Sequence, residues 1–407
     1  MRALSARGLS VAPFKIGPDY IDPSHHRAAA GRPSRSLDTW MLSSDAVLNV
    51  FARGTALSDI AIIEGVMGLF DGRAGPAPNG STAEVATLLQ APIILVIDAR
   101  AMAQTAGAIV LGLTSAVAGV RIAGVILNRV AGEGHAAMCR SAIEDMAGVP
   151  VVGWLPRDSA IGVPERHLGL HQAEEQTVDF NRLVSLVDAH IDLDALLKLA
   201  RGAPALAVLP SPQITVQRPR AVIGVARDAA FSFYYEDSLD LLRVHGAEIK
   251  FFSPLTDPAP PADAGLLYFG GGYPELHAAA LASNRQMIEA VRAFGRPIYA
   301  ECGGLMYLCE GLVGIIPAVA EMSPKLTLGY RELEALSDSP LAVAGQRLRG
   351  HEFRYSTLTT RHPLPPAYRM SDGRTEGVLM ENVLASYVHV HLGSDPRLAD
   401  RLVATAR

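Results

Sequence analysis

The feature that most restricts this fold is an alternation. Short apolar runs, "GLSVAPFKI", "DIAIIEGV", "APIILVIDA", "RIAGVILNRV" and "PVVGWLP", are separated by stretches of helical pattern. Strands this apolar must be covered on both faces, which indicates parallel sheet with helices on either side. The series stops near residue 200 at "RGAPALAVLPSPQITVQRPR", a proline-rich segment without periodicity that reads as a linker. A second series then runs through "AVIGVARD", "AEIKFFSPL", "AGLLYFGGGYPE" and "RPIYAECGG" to a last strand-like piece, "ASYVHVHLGS". No internal repeat relates the two series. The reading is α/β throughout, with a first domain over 1–203, a linker over 204–219 and a different second domain over 220–407.

Composition narrows the function classes. With 19 % charged and 49 % hydrophobic residues, the 407-residue chain can build two or three cores and is not a disordered protein. A net charge of −5 without a long basic run argues against nucleic acid or an anionic membrane as partner. Cys139, Cys302 and Cys309 lack the number and spacing of a disulfide framework or a zinc site, so a reducing, cytoplasmic setting is expected. The opening "MRALSARGLSVAPFK" is not read as a signal peptide, because Pro13 and Lys15 break its short apolar run. The charge-free Ala101–Val120 approaches the length of a membrane span, but its Ala, Gly, Ser and Thr content suits a buried helix of an α/β domain.

"RPIYAECGGLMYL" places Cys302 between an apolar strand and a probe of helix, "GGLMYLCEGL". A nucleophile requires such a tight turn, and the helix N-terminus favours its thiolate. His389 and His391 follow in "SYVHVH"; at strand spacing they share a face, so one can act as base while the other supports it. The glycine triplet of "YFGGGYPE" supplies Gly271 and Gly272, whose N–H groups can bind an oxyanion together with that of Gly303. Each feature has an ordinary reading as a packing cysteine, a turn or surface histidines. Their combination fits a cysteine hydrolase or transferase. Cys139 and Cys309 are read as core.

In the first domain, "PFKIGPDYIDPSHH" carries Lys15, Asp19 and Asp22 just after a strand, and Glu64 and Asp71 bracket "EGVMGLFDG". Carboxylates at the carboxyl ends of parallel strands lie where such sheets bind ligands, and they suit a hard cation such as Mg²⁺. Asp19 and Asp71 can equally satisfy turn backbone. Glu64, next to an apolar strand, needs a partner.

"GGGYPE", "AECGGLMYL" and "SYVHVH" resemble the class I glutamine amidotransferase domain of the corrin-amidating synthetases. In that family a cysteine attacks the side-chain amide of L-glutamine, forms a thioester and frees ammonia. The resemblance implies Cys302 as nucleophile and His389 as base. Many class I domains carry Glu two residues after the histidine; here that position is His391, which implies a dyad with His391 as orienter. "KIGPDYIDP", "LDTWML", "EGVMGLFDG", "GSTAEVATLLQAPIILVIDA" and "GVILNRV" resemble the cobyrinic acid a,c-diamide synthase family, whose N-terminal half is a P-loop nucleotide domain related to dethiobiotin synthetase. The resemblance runs from about residue 8 to 395 and implies a flavodoxin-like second domain.

It further implies an ATP- and L-glutamine-dependent ligase that amidates the a and c carboxylates of cobyrinic or hydrogenobyrinic acid through an acyl phosphate. By the same resemblance Glu64 and Asp19 bind Mg²⁺ or activate the carboxylate, Asp71 lines the cleft and Lys15 lies near the phosphates. Tyr20 and Ile21 contact substrate, and Asn128 reads adenine or ends its strand in a turn. The implied partner is a small corrin; a homodimer stays open. Alternatives are amidation of nickel-sirohydrochlorin or cobyric acid at its other side chains, a stand-alone cysteine glutaminase, and a non-catalytic P-loop scaffold. One departure stands out: the chain has no G-x-x-x-x-G-K-[ST]. Met1 falls where the helix after that loop is expected, so the first strand and phosphate cradle are expected to be missing, through a downstream start or a truncation. The chain as written is accordingly expected to form amide poorly or not at all.

Overall fold

The computed structural model describes residues 1–73, 80–157, 165–166, 169–170, 172–175, 178–206 and 219–407. Two compact units emerge: Met1–Thr39 with Val47–Ser211, and Trp40–Ala46 with Pro212–Arg407. Apart from residues 204–206 and 219, the linker expected over 204–219 lies outside the described residues.

The first unit is built from parallel ladders. Strands β1 (Val11–Ile16), β2 (Arg35–Leu37) and β3 (Ile60–Glu64) form one sheet in the order β2-β1-β3. Strands β4 (Ile93–Asp98), β5 (Ile122–Val130) and β6 (Val151–Pro156) form another, in that order. Among the described residues β3 pairs with β1 alone and β4 with β5 alone. β7 (Glu165–Arg166) and β8 (Gly169–Leu170) make a short antiparallel ladder.

Helix α1 (Arg2–Ala6) precedes the strands, and α2 (Ile21–Ala30), α3 (Ser44–Thr55), α4 (Thr82–Leu88), α5 (Gln104–Ala116), α6 (Glu133–Ala147), α7 (Phe180–His190) and α8 (Leu193–Arg201) occur between and after them. Every residue of β1 is buried, the apolar ones as their character requires and Lys15 against carboxylate partners. α5 is the helix expected within Ala101–Val120, and it is buried on one face. Ala106, Gly107 and Val110 face the core while Leu111 is 44 % exposed. The small residues serve helix contact: a Cβ on Gly107 would stand 2.3 Å from the Ala142 carbonyl oxygen of α6. Among the described residues no helix is long and apolar enough to cross a membrane.

The second unit has a six-stranded sheet of β9 (Ala221–Ala226), β10 (Ala247–Phe252), β11 (Leu266–Phe269), β12 (Ile298–Glu301), β17 (Val378–Met380) and β18 (Val383–Ser386), in the order β10-β9-β11-β12-β18-β17. All its pairings are parallel except β17 with β18. This is the flavodoxin-like arrangement, with α9 (Glu236–Val244), α10 (Ala278–Ser283), α11 (Arg285–Arg292), α12 (Gly303–Leu308) and α13 (Pro396–Thr405) between and after its strands. A second, antiparallel sheet joins β13 (Ala318–Ala335), β14 (Arg347–Thr360), β15 (Tyr368–Met370), β16 (Thr375–Glu376) and β19 (Val388–Val390), in the order β16-β15-β13-β14-β19. The chain changes sheets at Tyr387, between β18 and β19. That change carries the last histidines from one sheet to the other, next to the end of β12.

Candidate active site

Cys302 stands where β12 ends and α12 begins, with φ +48° and ψ −103°. Such a backbone is strained for any residue but glycine, and it persists because its surroundings over-determine it. The Cys302 N–H donates to the Ser386 carbonyl at 2.7 Å, and the Cys302 carbonyl accepts from Met306 N–H at 3.1 Å. The two glycines that follow are dictated by close approach. A Cβ on Gly303 would meet Pro274 Cδ at 2.9 Å and Gly272 N at 3.0 Å, and one on Gly304 would meet the Phe269 carbonyl oxygen at 2.4 Å. The first-turn N–H of Gly303 has no acceptor within its helix, and the glycine loop brings Gly272 N beside it. Gly271 is equally confined: a methyl there would stand 2.4 Å from His389 Cε1 and 3.2 Å from Nε2.

His389 is 1 % exposed and stands within electrostatic reach of both Cys302 and Glu301. Its Nδ1 lies 3.4 Å from Glu301 Oε2. Burial on its own would lower the imidazole pKa; the hydrogen bonds to Cys302 and then Glu301, with their charges, overcome this and raise it to about 10. Glu301, the residue before the cysteine, is itself held by the Tyr299 and Tyr268 hydroxyls and by Val390 N–H, the last two at 3.0 Å. Burial and the Glu301 carboxylate keep both phenols well above their ordinary pKa.

His391 lies elsewhere. β19 ends at Val390, and His391 caps a short 3₁₀ turn, where its Nδ1 accepts from Gly393 N–H at 3.0 Å and its ring lies 4.7 Å from that of Tyr235. The residue behind His389 is therefore Glu301, which the sequence reading did not single out. Its signal was a carboxylate closing an apolar strand, the same signal that drew attention to Glu64. Cys139 and Cys309 are buried and reduced, and burial pushes the Cys309 thiol up to about 12.

In the first unit, Lys15 on β1 and Glu64 on β3 are ladder neighbours. Lys15 is 4 % exposed, and its Nζ lies 2.6 Å from Asp22, 3.5 Å from Glu64 and 3.8 Å from Asp19. His26 hydrogen-bonds the other Glu64 oxygen. Burial acts to lower the Lys15 pKa, but Glu64, Asp22 and Asp19 together raise it. Asp19 is pushed up to about 6, by burial first and by Asp22 next. Tyr20 and Ile21 are buried beside it, 9 % and 8 % exposed. Asp71 accepts from the Gly68 N–H of its own turn at 3.0 Å, and Asn128 accepts from Arg129 N–H at 2.9 Å.

Three carboxylates converging on one ammonium form a hard-oxygen set of the kind that suits Mg²⁺. Among the described residues no group of three or more His, Cys, Asp or Glu is disposed to hold a metal by itself. The arrangement fits an ion taken by one or two carboxylates together with substrate phosphates.

Residues 222–397 match the model of the CobB/CobQ-like glutamine amidotransferase domain, and residues 1–170 that of the CobQ/CobB/MinD/ParA nucleotide binding domain. The chain is 43 % identical over 433 residues to cobyrinate a,c-diamide synthase of Dehalococcoides mccartyi, an alignment covering 100 % of this chain and 93 % of the relative. It is 40 % identical over 454 residues to hydrogenobyrinate a,c-diamide synthase of Streptomyces coelicolor, with the same two coverages. Cobyrinate a,c-diamide synthase of Priestia megaterium is 41 % identical over 423 residues, covering 99 % of this chain and 92 % of the relative.

Proposed function

The chain belongs to the cobyrinate/hydrogenobyrinate a,c-diamide synthase family, and from that premise we propose how its residues carry the ATP- and glutamine-dependent amidation of corrin a and c carboxylates. The enzyme is a carbon–nitrogen ligase with glutamine as amido donor. Cys302 is the nucleophile toward the glutamine side-chain amide. His389 takes the thiol proton and passes it to the departing nitrogen, and Glu301 holds the imidazole in the orientation and charge state this needs. The Gly272 and Gly303 N–H groups, with Gly271 beside the base, stabilise the oxyanion of the tetrahedral intermediate. Water then releases glutamate from the thioester.

A carboxylate resists ammonia because its carbon is electron-rich and oxide is a poor leaving group. Phosphoryl transfer from ATP makes an acyl phosphate that ammonia can displace. In the first unit Glu64 and Asp19 would hold Mg²⁺, which when bound supplies charge neutralisation at the phosphates. Lys15 attracts the same anionic groups, and Tyr20 and Ile21 back the loop that carries Asp19. Asp71 and Asn128 shape the strand-end turns around the nucleotide and corrin.

The observation that carries this reading is the strained Cys302 with the buried His389 beside it and Glu301 behind. The test is glutamate release from glutamine by the intact chain and by Cys302→Ala. The variant is expected to lose that activity. Glutaminase activity surviving the change removes the proposed nucleophile.

A further inference from the structure

One more imidazole borders the base. His351 lies on β14 directly across the ladder from His389 and is 4 % exposed. The two rings are stacked, 6.2 Å between centroids and 23° apart in plane. On its other sides His351 meets the rings of Tyr330 at 6.4 Å and Phe353 at 6.2 Å. Two residues along the same strand, the Phe353 carbonyl oxygen lies 3.8 Å from Cys302 Sγ, so this part of β14 lines the nucleophile's surroundings. Among the described residues the buried Nδ1 of His351 has no hydrogen-bond partner. Buried polar atoms rarely stay unmatched, and the aromatic neighbours offer no match. Burial first, then the charges of His389 and Arg331, lower the His351 pKa to about 3. The ring therefore presents one N–H and one lone pair at any working pH.

We propose that His351, beside His389, forms a binding site for neutral ammonia, the small hydrogen-bonding product released at Cys302. The inference rests on the glutaminase reading above. As the thiolate adds to the amide carbon and the C–N bond breaks, the nitrogen takes a proton from His389 and leaves as NH₃. The acyl group stays on sulfur as a thioester. An N–H of that ammonia is then accepted by the unmatched ring nitrogen of His351. Burial and the Arg331 charge both disfavour an ammonium ion there, and a ring that stays neutral has no proton to give. Ammonia held in this way keeps its lone pair. In reverse, NH₃ attacks the thioester carbon, the C–N bond forms, the C–S bond breaks, and one N–H proton returns to His389.

The reverse step supplies the test. The intact chain is incubated with glutamine and ¹⁵N-labelled ammonium chloride, and two rates are read: glutamate formation and ¹⁵N entering the remaining glutamine. His351→Phe keeps a ring and removes its nitrogens, and His351→Asn restores a hydrogen-bonding group. In the phenylalanine variant, exchange is expected to fall about tenfold while glutamate formation stays within about threefold. The asparagine variant is expected to recover part of the exchange. Exchange that is unchanged, or that falls in proportion to glutamate formation, overturns the ammonia site and leaves His351 as packing for His389. If His351→Phe does not fold, His351→Leu gives the same two readouts. A Cys302→Ala chain that still releases glutamate overturns the glutaminase reading itself, an outcome separate from either exchange result.

Discussion

Glu301→Gln is the substitution that most directly probes how the base works. The side chain keeps its size and loses its charge, at a position 1 % exposed and in reach of His389 rather than of solvent. Raising an imidazole from 6.5 to about 10 corresponds to about 5 kcal/mol in favour of the charged ring. A hydrogen bond to a charged group contributes about 1.5–3 kcal/mol, the share expected of the carboxylate. A unit charge 3.4 Å away gives about 5 kcal/mol at an effective dielectric of about 20, an upper bound consistent with that share. A loss of 2–3 kcal/mol of transition-state stabilisation is about a hundredfold in rate.

The glutamine side chain adds a second effect. An amide N–H turned toward Nδ1 forces the tautomer in which Nε2 already carries a proton, and in serine triads that error reduces kcat about 10⁴-fold. Glutamate release by the variant should therefore fall 10²- to 10⁴-fold in kcat, with KM little changed because Glu301 does not reach substrate. The wild-type stability provides a parallel readout. His389 has a folded pKa above its unfolded one, so its contribution is full below about pH 6.5 and is lost as pH rises through about 10. In Glu301→Gln the loss should be smaller and complete at a lower pH in thermal melts. A kcat within about threefold of wild type refutes the reasoning.

Three further outcomes are expected. Gly271→Ala places a methyl 2.4 Å from His389 Cε1; displacement of the base should lower glutaminase kcat about a hundredfold for a stability loss of about 1–3 kcal/mol, and a wild-type kcat would contradict the placement. Cys302→Gly relieves φ +48°, so it should be about 1 kcal/mol more stable than Cys302→Ala in denaturant melts although both lack activity. Asp19→Asn preserves an oxygen for the Ile21 N–H, which Asp19 now accepts at 2.8 Å. Because the Asp19 pKa is raised to about 6, its ionisation opposes folding fully above about pH 6 and not below about pH 4. The variant should therefore melt a few degrees higher at pH 7 and equally at pH 4; a lower melting temperature at pH 7 contradicts this.

The parallel strands were legible because burial on both faces leaves an unmistakable run of apolar residues, as in β9 and β11. The β13–β14 hairpin was not singled out. It has one exposed face, so "KLTLGYRELEAL" and "RLRGHEFRYSTLTT" mix charged with apolar residues. The common side expected for His389 and His391 failed for a local reason: strand geometry stops at Val390, and a spacing of two has no meaning in the turn that follows. His26 went unassigned because a helix must fold over β1 and β3 before it can reach Glu64.

The amino-acid order alone determined that Cys302 must occupy a turn, since only glycine fits where Gly303 and Gly304 approach neighbouring backbone, and that carboxylates gather at the ends of β1 and β3. It could not determine which acid serves the base. Glu301 and His389 are 88 positions apart, and they meet only because the chain leaves one sheet at Ser386 and enters another at Val388. Local preference acts over a few residues. Which distant groups share a dry, low-dielectric space is decided by packing alone, and with it the charge state on which the chemistry depends.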